Sequence, residues 1–275
     1  MNLRSCLVLL AGFLGLAGPA FAAVPERTAE PDMALLLAAG QNATSDALMP
    51  GLVYRVIELP AYGLKVHAWT FDQDRFRMRV ALQKTAKGSH VRDLIGPAPD
   101  VLAINGGFFE RARDGTLTPS GLVIMHGVEN APAYDRGGSG IIHSGASGVG
   151  IGYRKDLTAR GTMAEAIQVG PILVDPGGKV GVSNTKHDRQ NRSAACLTPG
   201  KFTIVAVDGG LSLYQLAVLM ASPAAEGGLG CDIAINLDGG PSTQASSRAG
   251  GQGLDILGGT TVQNALIVSA KPPLP

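Results

Sequence analysis

The stretch "FTIVAVDGGLSLYQLAVLMA", residues 202–221, sets the architecture. Its opening residues, Phe202 to Val207, are apolar or β-branched, as a buried strand requires. They run into Asp208, Gly209 and Gly210, which read as the end of that strand. At Ser212 the period changes. Leu213, Leu216, Ala217 and Met220 recur at helical spacing, and Ser212 is a suitable N-cap. Shortly afterwards "CDIAINLDGG" (231–240) repeats the first pattern, an apolar strand closed by Asp238-Gly239-Gly240. A third stretch, "DVLAINGGFF" (100–109), ends its strand in Asn105-Gly106-Gly107.

The flanking sequence extends the same theme. "LVYRVIEL" (52–59) and "LKVHAWTF" (64–71) lie on either side of Pro60 and Gly63 and read as a hairpin. "RFRMRVAL" (75–82) alternates, with Phe76, Met78 and Val80 on one face and Arg75, Arg77 and Arg79 on the other. The arginine face is either an anion site or, as is more usual, a solvated sheet face. "SGLVIMHG" and "SGIIHSG" read as further short strands. "PILVDPGGKV" (171–180) is strand, Pro-Gly-Gly turn and strand. "TMAEAIQVGP" (162–171) carries Thr162 and Glu165 at capping-box spacing, which predicts a short helix there. "DMALLLAA" after Pro31 predicts another, and "VQNALIVSA" (262–270) a last strand. The expected class is α+β: a strand-rich single domain with a mixed sheet core and few short helices.

Composition agrees with one large domain. The chain has 275 residues, 45% hydrophobic and only 16% charged, with 38 glycines and no repeat period. Its near-neutral charge excludes the basic footprint of a nucleic-acid binder and gives no attraction to an anionic membrane. The N-terminus, "MNLRSCLVLLAGFLGLAGPAFAA", has one Arg, an apolar core and a small-x-small end at Ala20-Phe21-Ala22. It reads as a secretory signal over 1–22, with no stable membrane anchor expected, since the apolar run is short for a bilayer span. Residues 23–50 then form a linker or leader segment, and 51–275 the main domain. The protein is expected to be periplasmic or secreted. Two cysteines follow the signal, Cys196 and Cys231. Export makes a disulfide between them reasonable, and two separate buried thiols are the alternative.

Three polar residues that close apolar strands, each followed by two glycines, favour a shared cleft. A polar cap with bare backbone after it offers both a side chain and exposed amides to a ligand. Each instance alone is an ordinary turn. The histidines at 67, 90, 126, 143 and 187 show no metal-ligand spacing, and no cysteine lies at zinc spacing. No phosphate loop, nucleophile elbow or dinucleotide fingerprint is present.

In order along the chain, "AINGGFF", "QVGPILVDPGGKV", "NRSAACLTPGKFTIVAVDGG", "INLDGGPST" and "VQNALIV" resemble the phosphodiester glycosidase family, which includes bacterial exopolysaccharide-related members. The resemblance covers about residues 50–270. It departs at one place: the family block usually reads Gly-Gly-Gly-Ser-Thr, and here Pro241 stands for the third glycine, which removes an N–H.

The resemblance implies an enzyme, an exported hydrolase that cleaves a sugar-1-phosphodiester at the anomeric C–O bond, acting on phosphate-linked glycans or exopolysaccharide. That transition state is oxocarbenium-like and needs a carboxylate near the anomeric carbon. Asp238 and Asp208 are therefore the candidate catalytic groups. The leaving phosphate needs charge stabilisation. Arg192, whose fork matches two phosphate oxygens, is the candidate cation. Asn105, the amides of Gly106, Gly107, Gly239 and Gly240, and the hydroxyls of Ser242 and Thr243 are the candidate substrate-binding groups. Each has a plainer role open to it: Arg192 paired to Asp188, Asp208 capping the Ser212 helix, Asn105 holding its turn, Thr243 bonded within its own turn. No cofactor is required. Two rival functions remain: a non-catalytic carbohydrate-binding or polysaccharide-assembly protein, and a metal-assisted phosphodiesterase with Asp208 and Asp238 holding Mg²⁺ or Ca²⁺.

Overall fold

The computed structural model describes residues 31–156, 162–183, 188–251 and 253–272. The expected secretory signal, and His187, lie outside the described residues. In chain order, helix α1 (Met33–Gln41) leads into β1 (Ser45–Met49), β2 (Leu52–Leu59), β3 (Leu64–Asp72) and β4 (Phe76–Leu82). A single turn, α2 (Val91–Leu94), precedes β5 (Asp100–Asn105), β6 (Phe109–Arg111), β7 (Leu117–Pro119), β8 (Val123–Met125) and β9 (Val128–Ala131). Then come β10 (Gly140–Gly145), β11 (Gly148–Tyr153), β12 (Glu165–Val169), β13 (Ile172–Asp175) and β14 (Lys179–Val180). The last third holds β15 (Gln190–Thr198), β16 (Lys201–Leu211), α3 (Leu213–Ala221), β17 (Ile233–Asn236), β18 (Ala245–Ser247), β19 (Leu254–Ile256) and β20 (Asn264–Ala270).

The strands form one eight-stranded sheet, β1-β2-β3-β16-β15-β17-β13-β14. Two five-stranded sheets join it, β19-β18-β5-β20-β4 and β11-β10-β12-β8-β9, with a β6-β7 ribbon. Both faces of the large sheet are buried. Val66, Ala68, Val205 and Val207 pack under α1 and α3 through Leu36, Leu216 and Met220. Trp69, Phe71, Phe202 and Ile204 pack the other way, against Met78, Val80, Leu102, Ile104 and Leu266 of one smaller sheet and Ile142 and Ile167 of the other. That double burial explains why β3 and β16 read as apolar runs. The chain is thus strand-rich with few helices, and no helix among the described residues is long and apolar enough to cross a membrane.

Several expectations change. The core is not a mixed sheet: every strand pairing among the described residues is antiparallel. Where a short helix is expected within 162–171, the chain instead forms the strand β12. All five of its residues are buried, and it pairs with β10 and β8. Sheet partners on both sides outweigh a local capping signal. Glu165 accepts hydrogen bonds from the amides of Val80 (2.8 Å) and His126 (3.2 Å), so its carboxylate serves the sheet rather than a helix start. The arginine stripe of β4 is not uniform either. Arg77 is exposed, but Arg79 pairs with the buried Asp100 at 2.6 Å. The described part of the expected leader is built into the domain: α1 covers the large sheet and β1 forms its edge.

The hairpin of β2 and β3 and the α3 helix follow the sequence reading. Ser212 accepts from the Gln215 amide, and the Gln215 side chain accepts from the Ser212 amide, closing a capping box. Cys196 of β15 and Cys231 beneath α3 are joined by a disulfide, with Cα atoms 5.8 Å apart. It closes a loop of 35 residues, and loop closure of that order stabilises by about 3–4 kcal/mol.

Candidate functional site

The topology brings the two Asp-Gly-Gly tripeptides to one edge of the large sheet. β16 and β17 are both antiparallel to β15, which lies between them, so they run in the same direction with α3 as their crossover. Their C-terminal ends therefore flank the start of β15, where Gln190, Asn191 and Arg192 sit.

The ends differ. β16 does not stop at Asp208. Gln190 pairs with Leu211 and Arg192 with Val207, so Asp208, Gly209 and Gly210 bulge out opposite Asn191 alone. Gly209 and Gly210 have φ of +91° and +86°, which favours glycine strongly, and a Cβ on Gly209 would lie 2.1 Å from the Gly63 carbonyl oxygen. The bulge pushes Asp208 into the open. Its carboxylate lines a cavity of about 550 Å³ together with Asn191, Arg189, Gly240, Thr243 and Tyr62. Asn191 holds the bulge in place: its Oδ1 accepts from the Gly209 amide at 3.1 Å and its Nδ2 approaches Asp208 at 3.4 Å. Asp208 does not cap α3, because Ser212 does.

Asp238 ends β17 more tightly. Its amide donates to the Gly106 carbonyl (3.0 Å), its carbonyl accepts from Asn105 Nδ2 (2.6 Å), and its Oδ1 accepts from the Gly239 amide (2.9 Å). Burial raises the pKa of its carboxyl, against the opposing pull of the Ser242 hydroxyl and the Gly239 amide. Asp238 is thus a half-buried acid inclined to keep its proton.

Most of the other expected binding groups are internal. Asn105 is fully buried. Its Oδ1 accepts from Ser193 Oγ (2.6 Å) and the Gln244 amide (3.1 Å), so it ties three segments together beneath the cavity. The Gly106 and Gly107 amides donate to Asn264, through its carbonyl (3.0 Å) and its Oδ1 (2.7 Å), and are not offered to a ligand. A Cβ on Gly106 would meet Asn264 Oδ1 at 2.0 Å, which explains that glycine by packing. The Gly239 amide and the Ser242 hydroxyl both serve Asp238.

Gly240 and Thr243 do face the cavity. Thr243 is 1% exposed, yet its Oγ1 has no hydrogen-bond partner among the described residues. A buried hydroxyl left without a partner costs free energy, on the order of 1–3 kcal/mol, and marks a place where a ligand can supply one. Pro241 occupies the first turn of the short helical segment Gly240–Ser242. An amide there has no helical partner, so proline costs the fold nothing.

Arg192 does not line the Asp208 cavity; it is buried beside Gly239. Residues alternate across a strand, so Asn191 and Arg192 point to opposite faces of β15. Arg192 lines a separate cavity of about 340 Å³ beside Leu213 and Tyr214. It donates to the carbonyls of Leu211 (3.0 Å) and Asp188 (2.6 Å), and burial lowers its pKa. Arg189 takes the place in the Asp208 cavity that the sequence assigned to Arg192. Its guanidinium donates to the carbonyls of Gly209 (3.0 Å) and Gly210 (3.3 Å). Asn191 and Arg189 were not among the sequence candidates. The three consecutive residues Arg189, Gln190 and Asn191 all line the cavity, so no periodicity in "DRQNRSA" singles them out; their place follows from pairing with the β16 bulge. Among the described residues no cluster of three or more His, Cys, Asp or Glu is placed to hold a metal ion.

An antiparallel, strand-rich fold with a glycine-walled polar cavity at one sheet edge is the class defined here. The chain belongs to the phosphodiester glycosidase (NAGPA) family, whose model matches residues 99–269. No curated protein matches the chain. Among solved structures, it is similar to a hypothetical protein from Synechocystis (TM-score 0.57, 17% identity, 83% of this chain and 64% of that one). It is also similar to the catalytic domain of zebrafish N-acetylglucosamine-1-phosphodiester α-N-acetylglucosaminidase, auto-inhibited by its pro-peptide (TM-score 0.55, 16% identity, 83% of this chain and 82% of that one). At such identities the likeness is one of fold.

Proposed function

We propose that the chain is an exported hydrolase that cleaves a glycosyl phosphodiester at the anomeric C–O bond, releasing free sugar and a phosphate monoester. The observation that carries this reading is that one cavity is lined both by the exposed Asp208 and by Thr243, whose buried hydroxyl has no partner among the described residues. Family membership supports the reaction type.

Each part of the site has a role in the reading. Asp208 sets negative charge beside the oxocarbenium-like carbon. Asp238, whose carboxyl burial shifts toward the protonated form against the pull of the Ser242 hydroxyl and the Gly239 amide, is the candidate proton donor. Thr243 and Arg189 face the leaving phosphate, which needs charge stabilisation more than protonation. The rigid Asn105 network holds Asp238 at the strand end. Phosphate-linked glycans or exopolysaccharide are the substrate class. Export rests on the N-terminal signal pattern and fits the disulfide.

The test is direct. The mature protein is incubated with an α-N-acetylglucosaminyl-1-phosphodiester of a simple alcohol, with and without EDTA, and followed by phosphorus and proton NMR. Free sugar plus alkyl phosphate, unaffected by EDTA, is the expected result. Sugar-1-phosphate that disappears with EDTA replaces this reading with P–O cleavage on a metal. Binding of the intact glycosyl phosphodiester by the wild-type protein, with no turnover of any glycosyl phosphodiester tried, replaces it with a binding protein.

A further inference from the structure

A second cavity, of about 530 Å³, shares no lining residue with the Asp208 cavity. Its wall carries Tyr134, Glu110, Arg136, Thr118 and Ser120. Tyr134 is 51% exposed, the one aromatic among the large, exposed apolar side chains of the described residues.

An exposed ring on a loose loop would mean little, but this loop is clamped. Gln168 of β12, only 2% exposed, directs its whole amide at it. Its Oε1 accepts from the amides of Tyr134 (3.1 Å) and Leu122 (3.2 Å). Its Nε2 donates to the carbonyls of Gly138 (2.8 Å) and Tyr134. Both backbone groups of Tyr134 are therefore held by one buried side chain, and that side chain has no hydrogen-bonding capacity left. The neighbours are seated as firmly. A Cβ on Gly137 would lie 2.6 Å from the Ser120 carbonyl oxygen, and one on Gly138 2.2 Å from that of Val169. Asp135 is paired with Arg154 at 2.8 Å.

The result is an exposed ring on a clamped backbone at the rim of a cavity, with the Glu110 carboxylate, the Asp135 carboxylate already paired to Arg154, one guanidinium (Arg136) and hydroxyls around it. A sugar has the matching chemistry. Its C–H face is apolar and covers an aromatic ring, while its hydroxyls both donate to a carboxylate and accept from a guanidinium. Opposite charges in balance favour a neutral sugar over an anion. Because the loop is ordered before binding, little conformational entropy is lost on contact. We propose that the Tyr134 cavity is a non-catalytic saccharide-binding subsite that takes a neutral sugar unit of a glycan chain. This inference does not depend on the hydrolytic reading.

The test titrates the full mature chain with chitotetraose, cellotetraose and maltotetraose, read by saturation-transfer NMR and calorimetry. At least one is expected to bind. Tyr134→Ala should weaken that binding about tenfold, the loss of roughly one aromatic contact, while Tyr134→Phe stays close to wild type. Arg136→Ala, at an exposed position, gives a second and smaller loss. Asp208→Asn should leave the binding unchanged. Circular dichroism and Tm of Tyr134→Ala should match wild type, because the ring is exposed and the clamp acts on backbone. The proposal is overturned if none of the three sugars binds, if Tyr134→Ala and Arg136→Ala bind as wild type does, or if Asp208→Asn abolishes the binding.

Discussion

Asp208-Gly209-Gly210 and Asp238-Gly239-Gly240 are the same three residues on strands that run the same way, yet they do opposite things. At 208 the strand continues, and the glycines bulge the chain outward so that the acid stands in a cavity. At 238 the strand ends, and the chain folds under itself so that the acid is half-buried and held by Asn105, Gly106 and Gly239. The difference comes from the partner. Gly209 packs against the backbone of Gly63 in the β2–β3 turn, whereas Gly239 packs against Asn191 and Arg192 of β15. A tripeptide supplies backbone freedom; the neighbouring strand decides what the freedom is used for.

The comparison breaks most visibly in turnover. Asp208→Asn is expected to lower kcat/KM about 1,000-fold with no loss of Tm, and Asp238→Asn to do as much. Unchanged turnover in either variant would remove that acid from the reaction and leave its tripeptide a structural turn. Steady-state kinetics on the glycosyl phosphodiester provide the readout.

Glycine replacements sharpen the structural side. Gly209→Ala combines a positive φ with a Cβ 2.1 Å from a carbonyl oxygen, and should destabilise by about 3 kcal/mol or more. Gly240→Ala also has positive φ, but its nearest neighbour is the Gln190 side chain at 3.4 Å, so a loss of about 1–2 kcal/mol is expected. Urea denaturation of both variants measures the gap. Equal losses would mean that the bulge is not held against Gly63.

Thr243→Val separates function from stability. The hydroxyl has no partner to lose, so the fold should be unharmed or slightly more stable, whereas kcat/KM should fall by about 10–100-fold. A variant with full activity would show that the hydroxyl meets no substrate oxygen.

The smallest effect concerns pH. The Asp238 carboxyl has its pKa raised in the fold, so between the unfolded and folded values the native state binds more protons than the unfolded state. Wild-type stability should therefore fall as pH rises through that window, and Asp238→Asn should lack that fall. Parallel Tm–pH curves for the two proteins would mean that burial does not penalise this carboxylate.

Much of this was legible along the chain because it depends on neighbours in sequence. The β2–β3 hairpin follows from two apolar runs around Pro60 and Gly63, and α3 from a change of period at a good N-cap. The Asp-Gly-Gly blocks, with "NGGFF", were enough to mark the family and the edge of the sheet where a cleft would form. What could not be read is what depends on pairing. The β12 segment looked like a helix start because its capping signal is local, while its two sheet partners are far away in sequence. Arg192 looked like the phosphate ligand because its residue type fits, while the face of β15 it occupies depends on register with β16.

The residues alone therefore determined the β2–β3 hairpin, the strands that run into Gly-Gly and the α3 helix, where the backbone must be bare, and which acids and hydroxyls were available. The tertiary structure decided which of them meet. Strand pairing placed Asn191, Arg189, Asp208 and Thr243 around one cavity and turned Arg192 away. The long-range bonds of Asn264 consumed the Gly106 and Gly107 amides, which looked free. Local propensity acts over a few residues, but a side chain's surroundings are set by strands that pair across a hundred or more, and only the folded chain brings those together.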